Sequence, residues 1–251
     1  MGKICIYGDE LCFNVNSELE MYRVESLFDK EPETIAWIDG WTRASEGNPV
    51  VFYDIGANIG IYSLYAAYNA RNAKVFSFEP VSNNYISLQS SLWLNKLNNV
   101  TPLNIALSRN RKLTSLYLSD LRIGNSGAQI NSPVNEKGEE YKPQRVEQVL
   151  SIAVDQLISD FGFSVPNYIK IDVDGHETDI LNGMLNTLRN NDLKSVLIEF
   201  NNNDEFKYWG GGVFKDSGLL VDYSYDDVPN HSGIRREKKG ALARNYIFTR
   251  K

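Results

Sequence analysis

An α/β fold with a mostly parallel sheet, helices on both faces and an antiparallel closing strand is predicted by three observations on this 251-residue chain. Short apolar, β-rich runs alternate with helical patterns through its middle, the signature of successive βαβ units. Residues 51–60 read VFYDIGANIG, an apolar strand that delivers an acid and two glycines into a tight turn before a helix. A second apolar strand over 74–78 ends in Glu79-Pro80, with Glu79 twenty-five positions after Asp54. One βαβ unit sets the carboxyl ends of its two strands side by side, and open α/β sheets bind ligands at such ends.

The first forty residues predict a hairpin (4–7 and 11–15) and helices over 17–28 and 33–43. Residues 1–45 then form a lead-in packed on a core domain of residues 46–251, effectively a single domain, since a chain of this length can bury one substantial α/β core. The core reads as strand 50–55, helix 61–70, strand 74–78, helix 83–97, strand 100–107, strand 168–173, helix 177–189 and strand 195–201. An insertion of about 111–145 interrupts it, with an extra strand over 113–118 and Gly, Ser, Asn and Pro chemistry over 124–142 that predicts loop. A strand over 146–154 leads into a helix at 155–158, and 219–225 and 245–249 close the fold.

Net charge −6 and a pI near 5.1 argue against nucleic acid as an obligate partner, because phosphate binding needs a basic footprint. Cys5 and Cys12 are the only cysteines, so neither a disulfide framework nor a metal cluster is expected. With no apolar stretch of membrane-spanning length and no secretory pattern at the start, the expectation is a cytoplasmic protein.

The turn Gly56-Ala57-Asn58-Ile59-Gly60 lacks the G-x-G-x-x-G order of a dinucleotide site, and Asp54 stands just before it. An acid there suits a cation. S-adenosylmethionine carries a sulfonium and an ammonium but no phosphate, so it fits this turn better than NAD. Glu79 would accept two hydrogen bonds from the ribose diol. The plainer alternatives are an Asp54 that merely fixes the turn and a Glu79 that merely ends a strand.

Further along stand Asn104-Ile105-Ala106-Leu107-Ser108, then YIKIDVDGHE over 168–177, Leu181-Asn182-Gly183 and a late strand over 195–200. Together with DIGANIG, FEP and the opening words at 31–35 and 37–39, these resemble the S-adenosylmethionine-dependent methyltransferases of the FkbM family across roughly residues 31–201. The resemblance implies a Rossmann-like class I methyltransferase fold with S-adenosyl-L-methionine as cofactor, bound by Asp54, Gly56, Asn58, Gly60 and Glu79. It also implies a contact from Asn104 to the adenine end, and O-methylation of a sugar, glycan or other small-molecule hydroxyl.

Strand alternation puts Lys170, Asp172 and Asp174 on one side of the chain, with Asp172 beside the glycine turn as both a cofactor contact and a catalytic candidate. A hydroxyl acceptor must lose its proton, and His176 is the first candidate base, with Asp172 and Asp174 as rivals. Asp174 and Glu177 could instead cap the following helix. Asp172, Asp174, His176, Glu177 and Glu199 carry metal-ligating atoms, but the spacing favours an ordinary ligand crevice and no metal is expected. Acceptor contacts are expected from 124–127, 201–203 and 208–212, with Trp209 either stacking on sugar or lying in the core. The basic run Arg235 to Lys239 is either a solvated loop or a steering patch for an anionic acceptor. An NAD-dependent oxidoreductase and a non-catalytic S-adenosylmethionine-binding protein remain as other classes.

Overall fold

The computed structural model describes residues 2–6, 11–44, 48–135, 138–200, 203–222 and 244–251. The basic run at 235–239, Asn201 and Asn202, and residues 223–225 of the expected closing strand lie outside them.

The chain opens with a hairpin, β1 (Gly2–Ile6) and β2 (Leu11–Val15), followed by α1 (Glu18–Glu25), α2 (Leu27–Lys30) and α3 (Pro32–Ala44). Ser17 caps α1 by accepting the Glu20 N–H at 3.1 Å, and Ser26 breaks the single helix expected over 17–28 into two. The core follows as β3 (Val51–Ile55), α4 (Ile61–Asn69), β4 (Lys74–Phe78), α5 (Ser82–Asn95), β5 (Val100–Leu103) and β6 (Ala106–Leu107). Next come β7 (Lys112–Leu118), β8 (Gln129–Ile130), β9 (Arg145–Ile152) and α6 (Val154–Phe161). The last third holds β10 (Tyr168–Ile171), α7 (Glu177–Asn182), α8 (Leu185–Arg189), β11 (Ser195–Phe200), α9 (Asn203–Glu205) with a π-helical continuation Phe206–Phe214, β12 (Leu219–Val221) and β13 (Arg244–Arg250).

Among the described residues the main sheet has seven strands in the order β12-β13-β11-β10-β3-β4-β5. β11, β10, β3, β4 and β5 run parallel, and β13 lies antiparallel between β11 and β12. This is the α/β architecture that the alternating pattern predicts, closing strand included. Period-two alternation divides β3 between two apolar clusters. Phe52 packs with Trp37 and Trp41 of α3 and with α4, whereas Tyr53 and Ile55 join the cluster under α6, α7 and α8. Burying each large ring of this kind contributes roughly 1.5–3 kcal/mol. The first of these clusters also contains Leu11, Phe13, Val24 and Leu27, so the lead-in shares a core with the strands it covers. Trp37 Nε1 donates to Ser195 Oγ at 2.9 Å, and Ser195 Oγ donates to the Phe248 carbonyl at 2.8 Å, tying α3 to two strands of the sheet.

Besides the helix broken at Ser26, four expectations need correction. The strand expected over 100–107 divides between two sheets, because Asn104 turns its amide onto the carbonyls of Glu79 and Pro80, both at 2.9 Å, instead of continuing the ladder. The helix expected over 177–189 breaks at Gly183 and Met184, where the Gly183 carbonyl accepts the Asp155 N–H at 3.0 Å. The insertion, expected as one strand and loop, builds with β6 and β9 a second, four-stranded sheet in the order β6-β9-β7-β8. Finally, Cys5 and Cys12 form a disulfide. They stand directly opposite each other in the β1–β2 register, a proximity that depends on hairpin pairing and not on cysteine count.

Candidate cofactor and acceptor site

The site begins where β3 stops. Ile55 and Ile171 are partners in the parallel β3–β10 ladder, and past them the N–H groups of Gly56 and Ala57 both donate to the Phe78 carbonyl at 3.0 Å. The turn is thereby clasped to the end of β4. Gly56 has φ 81°, and a Cβ there would lie 1.9 Å from the Asp172 carbonyl oxygen. Gly60, φ 84°, is the residue before α4, and a Cβ there would meet Leu88 of α5 at 2.0 Å. Only glycine adopts these angles without strain, and only glycine leaves room for such close packing. Asn58 between them has φ 52°, a conformation that Asn tolerates.

Glu79 follows β4 and is 4% exposed. Its Oε2 accepts the Asn58 N–H at 2.8 Å and its Oε1 accepts the Val81 N–H at 2.9 Å. The acid expected to face a ribose diol thus also braces the glycine turn, one oxygen to each side. Burial raises its carboxyl to a pKa of about 7, against the pull of those two N–H groups. Asn104, expected at the adenine end, holds the Glu79-Pro80 turn through the two carbonyls already described.

Beside the turn lies a group of charges, buried at Lys170 and Asp54 and partly exposed at Asp172 and Glu31, that the motifs only partly foretell. Lys170, 1% exposed, donates to Asp172 Oδ2 at 2.8 Å. Its register partner on β3 is Asp54, also 1% exposed. Asp54 Oδ2 accepts the Ser63 hydroxyl at 2.5 Å, and Ser63 in turn accepts from Ser77 at 2.6 Å, while Asp54 Oδ1 has no hydrogen-bond partner. The Lys170 ammonium lies 4.7 Å from the centre of the Tyr62 ring, and the buried Tyr62 hydroxyl faces the Glu31 carboxylate. Glu31, between α2 and α3, adds a third carboxylate that accepts from Thr34 and pairs with Lys30 at 3.2 Å. Burial opposes ionisation throughout, and the Asp54 carboxyl is raised by it. At Asp172 the ammonium of Lys170, helped by Lys30, overrides burial and lowers the carboxyl to about 2.

The second chemical cluster, at 172–177, meets a strap of the insertion between β7 and β8. The strap's Gly127 N–H donates to Asp174 Oδ2 at 2.9 Å, the Gln129 amide to the Asp174 carbonyl at 3.0 Å, and the Ile130 N–H to His176 Nε2 at 3.1 Å. At its other end the Asn125 carbonyl accepts from the side-chain amides of Asn58 and Asn84, at 3.0 and 3.1 Å. Arg23 of α1 donates to the Gly124 carbonyl. His176 therefore holds its lone pair on Nε2 toward a backbone N–H, and burial lowers its pKa, favouring neutral imidazole. Glu177, the first residue of α7, bends back to accept the Gly175 N–H ahead of the helix, with no side-chain cap on the helix N–H groups, and burial raises it to about 8. Trp209 takes the core alternative, buried with its Nε1 on Thr178 Oγ1 at 3.2 Å.

Asp54, Gly56, Asn58, Gly60, Glu79 and Asp172 are thus brought to one set of strand ends, with Asp174 and His176 adjoining under the strap. Sequence reasoning assigned no role to Lys170, Tyr62 or Glu31. Alternation placed Lys170 beside Asp172, but no local signal joins Glu31 to either. Among the described residues, no group of three or more His, Cys, Asp or Glu is arranged to hold a metal, and no helix is long and apolar enough to cross a membrane.

An unpartnered carboxylate oxygen on Asp54 and a negative cluster at the strand ends fit the ammonium and sulfonium of S-adenosylmethionine, and the turn offers no run of free N–H groups for a pyrophosphate. Fold and crevice define the class of S-adenosylmethionine-dependent methyltransferases.

The FkbM methyltransferase domain matches residues 54–237, and the chain belongs to that family, with S-adenosyl-L-methionine as its cofactor. A hexuronic acid methyltransferase of Haloferax volcanii, AglP, is 27% identical over 187 residues, covering 74% of this chain and 69% of the relative. Methyltransferase 1 of Beauveria bassiana is 26% identical over 141 residues, 52% of this chain and 57% of that protein's length. A solved S-adenosylmethionine-dependent methyltransferase from Agrobacterium tumefaciens aligns with a TM-score of 0.45 at 11% identity, over 88% of this chain and 62% of that one.

Proposed function

We propose that the protein methylates a hydroxyl oxygen of a sugar, glycan or similar small molecule, and that Asp54, Gly56, Asn58, Gly60, Glu79, Asn104 and Asp172 make its cofactor site. The observation that carries this reading is the adjacency of the glycine turn to Asp174 and His176, two proton acceptors roofed by one strap. Amide-bearing Asn58, Asn84 and Gln129 frame that strap, and amides both donate to and accept from sugar hydroxyls. The name of the Haloferax volcanii relative, a hexuronic acid methyltransferase, points the same way.

When bound, S-adenosylmethionine supplies an electrophilic methyl group. Transfer of that methyl to an acceptor oxygen would need the two held in line, so the main task of the residues around the glycine turn would be alignment. Asp172, held as an anion by Lys170, serves a cation better than a proton, because a carboxyl near pKa 2 is a weak base. The hydroxyl proton passes to His176, whose neutral imidazole becomes available once the Ile130 N–H leaves Nε2, or to Asp174.

The experiment is incubation with methyl-labelled S-adenosylmethionine and uronic-acid-containing glycans, then identification of the labelled atom. A methyl ether on sugar is expected. Label confined to nitrogen, to protein or to nucleic acid overturns the reading.

A further inference from the structure

Lys170 is an ammonium buried where packing alone asks for a neutral side chain; its register partner on β11 is the core residue Leu197, and charged or aromatic groups face it from β3, α4 and the lead-in. Asp172 touches it from the end of its own strand at 2.8 Å. Asp54 faces it in register from β3, and the Tyr62 ring lies 4.7 Å away on α4. Glu31 and Glu33 bring acids from the lead-in, and Lys30 and Arg23 are the cations on that side. With Asp54, Asp172 and Glu31 ionised, Lys170 leaves the innermost group with an excess of negative charge. One buried atom there, Asp54 Oδ1, has no hydrogen-bond partner, while the Tyr62 hydroxyl faces Glu31. Asp54 stands two residues before Gly56, whose backbone abuts Asp172.

We propose that Lys170 is a positioning residue for the cofactor: its ammonium, gathered with Asp172, Asp54 and Glu31 below the glycine turn, holds these carboxylates ionised and in place so that the cofactor's ammonium end finds a charged floor. Without Lys170, the buried Asp54 and its partly exposed like-charged neighbours Asp172 and Glu31 take up protons more readily, and the floor loses its attraction for a cation. Arginine is no substitute, since its planar fork is larger and needs several acceptors in one plane. Glu31 makes the lead-in part of this device, although the family match begins only at residue 54.

The test is calorimetric titration of S-adenosylhomocysteine into wild-type protein and Lys170→Met across pH 6 to 9, with thermal unfolding of the unliganded proteins alongside. Lys170→Met is expected to bind at least about tenfold more weakly at pH 6, the deficit shrinking to about threefold or less at pH 9 as the carboxylates ionise. A deficit that is absent, or equal at every pH, gives Lys170 a packing role and overturns the proposal. Should Lys170→Met not fold, Lys170→Met/Glu31→Gln removes one charge of each sign and carries the same comparison. If neither folds with or without S-adenosylhomocysteine, Lys170 serves folding alone and the proposal fails. A wild type that does not bind S-adenosylhomocysteine overturns the cofactor assignment as well, which separates the two failures.

Discussion

The carbonyl oxygen of Asp172 stands 1.9 Å from the point where a side-chain carbon on Gly56 would sit. Two strand ends are thus packed backbone to backbone beside the glycine turn, and the cluster at 172–177 proposed to border the reaction centre starts from the residue that makes the contact. Gly56→Ala must move either the turn or the end of β10, and it must also hold alanine at φ 81°. The backbone strain alone costs about 1–3 kcal/mol. A fall in stability of at least that size by urea unfolding is expected, together with loss of S-adenosylhomocysteine binding. Unchanged stability and affinity would remove the claim that this contact shapes the site.

Glu79 makes stability depend on pH. Its folded pKa, about 7, is raised from the ordinary 4.5, so its contribution is fully present below about 4.5 and is lost as pH rises through about 7. At about 1.4 kcal/mol per tenfold change in proton affinity, the loss is about 3 kcal/mol. Glu177, raised to about 8, acts in the same direction up to a higher pH. Asp172, lowered to about 2, acts oppositely, its contribution present above 3.8 and lost as pH falls through about 2. Melting temperature should therefore decline from pH 5 to 8, and Glu79→Gln should flatten that decline. The variant should also be less stable at pH 5 by about 1 kcal/mol, since the hydroxyl oxygen of the protonated carboxyl still accepts weakly from one of the Asn58 and Val81 N–H groups, whereas an amide NH2 accepts from neither. Equal slopes for variant and wild type would contradict the buried position of Glu79.

The central sheet was legible because its inner parallel strands are buried on both faces and read as apolar runs, as at 51–55 and 195–200. The glycine turn was legible because its backbone angles exclude most other residues. The rest depends on partners distant along the chain. Asn104 ends β5 by reaching the Glu79 and Pro80 carbonyls, so nothing near residue 104 announces the switch of sheets. Glu31 reaches the buried charges only because α3 packs across the face that Phe52, Asp54 and Lys170 share. The motif around His176 names an imidazole but not the N–H of Ile130, forty-six positions earlier, that occupies it.

His176 gives the sharpest test of the proton's route. If it is the base, His176→Ala should lower kcat by about a hundred- to ten-thousand-fold while leaving S-adenosylhomocysteine affinity within about threefold. Asp174→Asn is the paired measurement. A large loss in kcat there with little loss in His176→Ala would transfer the role to Asp174. Loss of cofactor affinity in both would instead mark the cluster as structural.

Asn84 tests how the strap is held. Its Oδ1 accepts the Gly124 N–H at 2.7 Å and its Nδ2 donates to the Asn125 carbonyl at 3.1 Å, so one buried side chain ties two successive residues of the strap to α5. Asn84→Ala removes both bonds and leaves the Gly124 N–H without its acceptor. A buried group left so costs about 1–3 kcal/mol, and that cost falls on the docked strap, because an undocked strap offers its N–H to water. Amide exchange across 124–130 should therefore quicken by about tenfold or more, while amides of β3 and β10 keep their protection, since their ladders do not involve Asn84. The contacts of Asp174 and His176 with Gly127 and Ile130 belong to the same strap, so loosening should spread to them. Exchange that quickens at 124–125 alone would show that the strap is held in separate pieces, and that its far end guards His176 independently of Asn84.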